Sequence, residues 1–220
     1  DILDAEIASI EAAGVKIVYG VDVGVDLPIE DVRRDYDALY VAIGAHGDKR
    51  VGIEGEDAAG VVSAVEMLRE VASGELPDWK GMDVCVIGGG NVAMDAARTA
   101  IRLGAKSVTV VYRRRAADMT ALPEEIEGAV ADGCHIADLS APVRIETDEA
   151  GRVCGLQIQP QVTGPVRNGR PSPVPARRPV ESIACQAVVV AVGQDVLSAP
   201  FEGAGLACER KTLVVDDKLR

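Results

Sequence analysis

The run Gly88-Gly89-Gly90-Asn91-Val92-Ala93 reads G-x-G-x-x-A. Gly88 permits a tight turn, and Gly90 lets the backbone approach a pyrophosphate with no side chain between. Ala93 is small enough for a helix to pack closely on a strand. A helix opening at Asn91 and Val92 turns free N–H groups and the positive end of its dipole toward a phosphate. Glycine-rich turns are common, so a tight turn with no ligand is the competing reading. About twenty residues on, a site for NAD places an acid that accepts from the ribose 2′-hydroxyl. Here that place holds Tyr112-Arg113-Arg114-Arg115. Guanidinium groups match a 2′-phosphate bidentately, each charge-assisted bond contributing about 1.5–3 kcal/mol, roughly ten- to hundredfold in affinity. The run points to NADP(H) over NAD(H); a solvated basic strand end is the alternative.

Residues of this kind need a strand, a turn and a helix to position them. Asp83 to Ile87 is a buried apolar strand running into Gly88, and alanine-rich Val92 to Leu103 is helix-prone and closes on Gly104. Ser107 to Tyr112 is a second apolar strand. Ser63 with Glu66 forms a capping box ahead of Met67, Leu68 and Val71, and Pro123 to Ala131 reads as a short acidic helix. Val143 to Ile145 and Val153 to Gln159 read as antiparallel strands about a Glu149-Ala150-Gly151 turn. Residues 163–179 hold five prolines, two glycines and four arginines and read as an exposed loop. Elsewhere, residues 1–13 have near-helical apolar spacing stopped by Gly14, and Pro28 to Asp37 is polar and turn-forming. Val15 to Tyr19 reads as a strand. The apolar runs Ala38 to Ile43 and Ala187 to Val192, closed by Gly44 and Gly193, read as buried parallel strands. Residues 44–60 carry five glycines and read as a linker or domain crossing.

Composition narrows the function classes. The 220 residues have 23 basic and 35 acidic side chains, a net charge of −12. That charge opposes a phosphate backbone, and four tyrosines, one tryptophan and one phenylalanine make a poor base-stacking surface, so no nucleic-acid partner is expected. Two histidines, His46 and His135, leave no histidine relay or His-rich metal site; surface or satisfied core positions suit them better. Five cysteines without a C-x-x-C lack the signature of a redox dithiol or an ordinary iron–sulfur ligand set, and fit reduced thiols in a cytoplasmic protein. No apolar run spans a bilayer and no basic n-region opens the chain, so no membrane partner or signal peptide is expected. Starting at Asp1 rather than methionine suggests an excised piece.

The motifs together resemble the small (beta) subunit of NADPH-dependent glutamate synthase and related flavoprotein oxidoreductases. Those relatives include a module of dihydropyrimidine dehydrogenase and bifurcating transhydrogenase subunits. The resemblance rests on Ile53 to Asp57, Val86 to Arg98, Val110 to Arg114, Met119 to Glu125 and Val190 to Gln194, with Glu54 standing where the family usually has proline. It implies an α/β fold: a Rossmann-like NAD(P)-binding domain with a parallel sheet and a small antiparallel β-meander, inserted in a truncated FAD-binding Rossmann-like domain. The implied boundaries are 1–50 for part of the FAD domain, 51–181 for the NADP(H) domain and 182–220 for the return segment, with crossings at Ala42-Ile43-Gly44 and Ala191-Val192-Gly193. Gly88 to Val92 would hold the pyrophosphate, Arg113 and Arg114 the 2′-phosphate, and Gly193 would lie near the cofactors.

Such a subunit also carries an N-terminal cysteine-rich iron–sulfur region, a first glycine motif for FAD and a later Gly-Asp motif, none of which occurs here. The expectation is therefore an NADPH-binding fragment without retained FAD and with little activity alone. In its parent, hydride would pass from NADPH to FAD, and electrons on to iron–sulfur centres, a large-subunit-like partner or another acceptor. No catalytic side chain and no metal ligand is implied, since the cofactors carry the chemistry. A disulfide reductase would need a C-x-x-C. The alternative from another class is a non-catalytic nucleotide-binding or subunit-interaction module. Asp95, Glu124 and Glu125 have no assigned role, because acids near helix N-termini are favourable by dipole alone.

Overall fold

The apolar spacing of Ile2, Leu3, Ile7 and Ile10 forms helix α1 (Ile2–Ala12), and Gly14 ends it at φ +96°. In this computed structural model, which describes residues 2–167 and 169–218, α1 buries no side chain. The stretch after Pro28, expected as turn, is the short helix α2 (Ile29–Asp35), whose acidic first turn and basic last turn suit the helix dipole. Val15 to Tyr19 and Ala38 to Ile43 are not strands, which corrects both expectations, including the crossing strand at Ala42-Ile43-Gly44. A strand exists only where a neighbour completes its ladder, and neither run has one among the described residues; Tyr40 is 83% exposed.

From Gly47 the chain builds a different unit. A two-residue strand β1 (Gly47–Asp48) leads by way of the Ile53–Asp57 turn to β2 (Val61–Ser63) and α3 (Ala64–Ala72). The Ser63 hydroxyl caps α3, accepting from the N–H groups of Val65 and Glu66 at 3.1 and 3.3 Å. Then come β3 (Asp83–Ile87), α4 (Asn91–Arg102), β4 (Ser107–Val111), α5 (Pro123–Ala131) and β5 (His135–Ala137). The alternation of apolar strand and helix dictates a parallel sheet covered by helices. α4 presents Ala93, Ala96, Ala97 and Ala100, all fully buried, so its axis lies close against the sheet.

Beyond β5 the sequence alternates and the sheets become antiparallel. Strands β6 (Ser140–Thr147) and β7 (Val153–Arg167) pair with Ile145 opposite Leu156, and β8 (Arg170–Pro175) and β9 (Glu181–Ala184) both pair with β7. The supposed loop at 163–179 is thus largely a hairpin. Pro171, Pro173 and Pro175 fall at alternate positions of β8, where an edge strand's N–H faces away from its neighbour and none is needed. Strand β10 (Ala187–Val190) returns between β2 and β3, giving the parallel order β2-β10-β3-β4-β5. This strand, expected in the return segment 182–220, belongs instead to the central sheet. β11 (Gln194–Asp195) then pairs with β1.

The chain finishes with α6 (Ala199–Gly203), β12 (Cys208–Glu209) and β13 (Thr212–Leu213). Two compact units result: His46–Asp195, and the described residues 2–45 with 196–218, so the first is inserted in the second in chain order. Among the described residues no helix is long and apolar enough to cross a membrane.

Candidate functional site

Within His46–Asp195 the carboxyl ends of β3, β4 and β10 open into a cleft of about 760 Å³. Ligands of open α/β sheets bind at such strand ends. The turn leaving β3 forms its floor. Gly88 lies at φ +155°, and a Cβ there would run into the Ala191 carbonyl oxygen. A Cβ on Gly89 would strike the Tyr112 ring at 2.5 Å. Both glycines are therefore demanded by the chain's own packing. Gly90 differs: a Cβ there would meet only Thr120 Oγ1, at an ordinary 3.5 Å. The space beside Gly90 is open, as a cradle for pyrophosphate requires.

Gly90 is the N-cap of α4 and offers no side-chain acceptor to the helix. The N–H groups of Asn91 and Val92 lie in the first turn, where a helix supplies none either. Those donors and the dipole are the features with which a helix N-terminus can hold an anion. Asn91 Oδ1 accepts from the Leu122 N–H at 2.9 Å, so its side chain braces the turn. The Gly89 carbonyl is held from the same loop by the N–H groups of Thr120 and Ala121, at 2.9 and 3.0 Å. Ala93 does not line the cleft; it is fully buried and sets how closely α4 packs.

Gly88, Gly89, Gly90, Asn91, Val92, Arg113, Arg114 and Gly193 all line the one cleft. The three consecutive arginines separate in role. Arg115 turns to the Asp118 carboxylate, at 2.7 and 2.8 Å, and holds that carboxyl below its usual range. Arg113 and Arg114 carry no carboxylate partner among the described residues. At the other end Gly193, at φ +120°, lies against the Lys49 side chain, and Lys49 reaches Asp195 at 3.4 Å.

Sequence reasoning missed three cationic members of the lining, Lys49, Arg50 and Arg170. Arg170 sits in what reads as a proline-rich loop, and only the β7–β8 hairpin brings it to the cleft. Asp95 is exposed on α4 and lies outside the cleft. Glu125 accepts from Arg98 at 3.1 Å and ties α5 to α4, while Glu124 is exposed.

A parallel sheet whose glycine turn meets a helix N-terminus, beside a basic strand end, defines a Rossmann-type dinucleotide-binding fold. The chain belongs to the pyridine nucleotide-disulphide oxidoreductase family, whose model matches residues 3–220. It is 38% identical over 219 residues to the NADP(+)-dependent formate dehydrogenase subunit beta of Moorella thermoacetica, covering 98% of this chain and 31% of that protein. It is 32% identical to the glutamate synthase [NADPH] small chain of Halomonas elongata, covering 96% of this chain and 46% of that one. The chain thus spans from under a third to under a half of these relatives' lengths, and their names give NADP(+) or NADPH. The solved structure of Mycobacterium tuberculosis FprA in complex with NADPH shares the fold, with TM-score 0.71 at 21% identity over 90% of this chain and 58% of FprA.

Proposed function

We propose that His46–Asp195 is the NADP(H)-binding unit of a flavin-dependent oxidoreductase related to the glutamate synthase small subunit. The observation that supports this best is the pairing, in one cleft, of the open Gly90 cradle with two guanidinium groups that have no internal counter-charge. NADPH, when bound, supplies a hydride to an acceptor. The chain's part is to hold and orient it. The turn Gly88–Val92 donates backbone N–H groups to the pyrophosphate, Arg113 and Arg114 take the 2′-phosphate, and Gly193 leaves space near the reactive end.

Among the described residues no second glycine turn joins a strand to a helix N-terminus. The residues present therefore offer FAD no matching phosphate cradle, and no step at the flavin is derived from them. In this proposal flavin binding belongs to the longer protein, in which reducing equivalents pass from NADPH to FAD and on to iron–sulfur centres or an electron-accepting partner subunit. The chain alone has little turnover, and five free cysteines suit a cytoplasmic setting. Purified alone it shows no flavin absorption band; a yellow protein would contradict that.

The cofactor assignment is tested by the double substitution Arg113→Ala with Arg114→Ala. NADPH affinity should fall about a hundredfold while NADH affinity changes little, since each lost charge-assisted bond contributes roughly a factor of ten or more. Equal losses for both nucleotides would overturn the assignment.

A further inference from the structure

We propose that Arg170 is a third guanidinium of the 2′-phosphate site and a determinant of the preference for NADP(H) over NAD(H). The proposal rests on the NADP(H) reading and adds a residue that lies 58 positions beyond Tyr112 in sequence. Gly169, at φ +75°, turns the chain into β8, and Arg170 is the first residue of that strand. Its Nη2 donates to Tyr112 Oη at 3.2 Å and to the Asp118 carbonyl oxygen, which also accepts from Tyr112 Oη at 2.9 Å. Next to it, the Pro171 carbonyl accepts from Arg114 Nε at 3.4 Å. The hairpin start is thus tied to both residues that flank Arg113, and Tyr112 in turn lies over Gly89.

Two features distinguish this arrangement from a purely structural clamp. Both Arg170 bonds use Nη2, which leaves the N–H groups of Nε and Nη1, three donors in all, for other acceptors. Arg113, Arg114 and Arg170 all line the same cleft, and among the described residues no carboxylate pairs with any of them. The nearby Asp118 carboxylate is salt-bridged to Arg115, and the Arg170 charge acts on it only as a weaker, longer-range contribution. Three like charges lining one cleft repel one another until a multiply charged anion joins them, and a phosphate monoester dianion is such an anion. The ribose 2′-hydroxyl of NAD(H) offers no such charge.

The test titrates the full chain and its Arg170→Gln and Arg170→Lys variants with NADPH, NADH and 2′,5′-ADP. Arg170→Gln should weaken NADPH and 2′,5′-ADP by about tenfold or more and leave NADH unchanged, because only the 2′-phosphate is addressed. Arg170→Lys, which keeps the charge and loses the divergent donors of the planar guanidinium, should fall between. Unchanged NADPH affinity in Arg170→Gln would overturn the proposal, as would equal losses for NADPH and NADH, the mark of a structural role. A wild-type chain that does not prefer NADPH would instead overturn the underlying NADP(H) reading, so the two failures are distinguishable.

Discussion

Gly88, Gly89 and Gly90 stand in one turn but answer to different neighbours. Gly88→Ala forces a Cβ against the Ala191 carbonyl at a φ that L residues rarely adopt. Thermal unfolding should show a loss of about 1–3 kcal/mol. Gly90→Ala meets no such obstacle and should unfold like the wild type, yet lose most of its NADPH affinity because the added methyl fills the pyrophosphate cradle. Gly90→Ala with undiminished affinity would show that the phosphate lies elsewhere. The cysteines are likewise sorted by environment. Burial pushes the Cys134 thiol up to about 11 and it is 5% exposed, whereas Cys154 is exposed. A thiol reagent at neutral pH should label Cys154 quickly and leave Cys85, Cys134 and Cys185 untouched until denaturant is added. That residues 88–92, 113 and 114 share one cleft was legible in sequence, because each stands just past the end of a strand. The place of Arg170 in that cleft was not, since a hairpin carries it back to a strand end far earlier in the chain.

At the scale of elements, the starts of α3, α4 and α5 were readable, although those of α2 and α6 were not. Ser63 accepts from two backbone N–H groups of α3, and Ser63→Ala should cost about 1 kcal/mol in denaturant unfolding. The central β3–turn–α4–β4 block followed from apolar strands bracketing an alanine-rich helix. Its alanine face leaves no room, so Ala97→Leu should destabilise by about 1–3 kcal/mol through overpacking. Strands proved harder where pairing decides. Val15 to Tyr19 and Ala38 to Ile43 have strand-like composition but no adjacent strand among the described residues. Conversely, prolines at 171, 173 and 175 suggested a loop, yet their alternate spacing suits the outer edge of β8. In each case the missing information was the neighbour, which local composition does not contain.

For the molecule as a whole, the net charge of −12 and the cationic strand end act at different ranges. Screening weakens the long-range repulsion of an anionic ligand and the attraction within the cleft alike, but the cleft contacts are short and directional. Acid should destabilise the fold. Hydrogen bonds from Arg115, Ser107 and Ser182 hold Asp118, Asp83 and Glu146 below the usual carboxylate range. Groups with depressed folded values contribute stability above their unfolded values, near pH 4, and lose it as pH falls through the folded ones. The unfolding midpoint should therefore stay level from pH 7 to about pH 5 and drop below about pH 4; a midpoint that rises on acidification would contradict this. The central claim, that the cleft of His46–Asp195 is built for a 2′-phosphorylated dinucleotide, is tested most directly by calorimetric titration of the purified chain with NADPH and NADH at low salt. Saturable one-to-one NADPH binding, with NADH weaker by about tenfold or more, is the predicted result. No saturable NADPH binding, or equal affinity for the two, would contradict it.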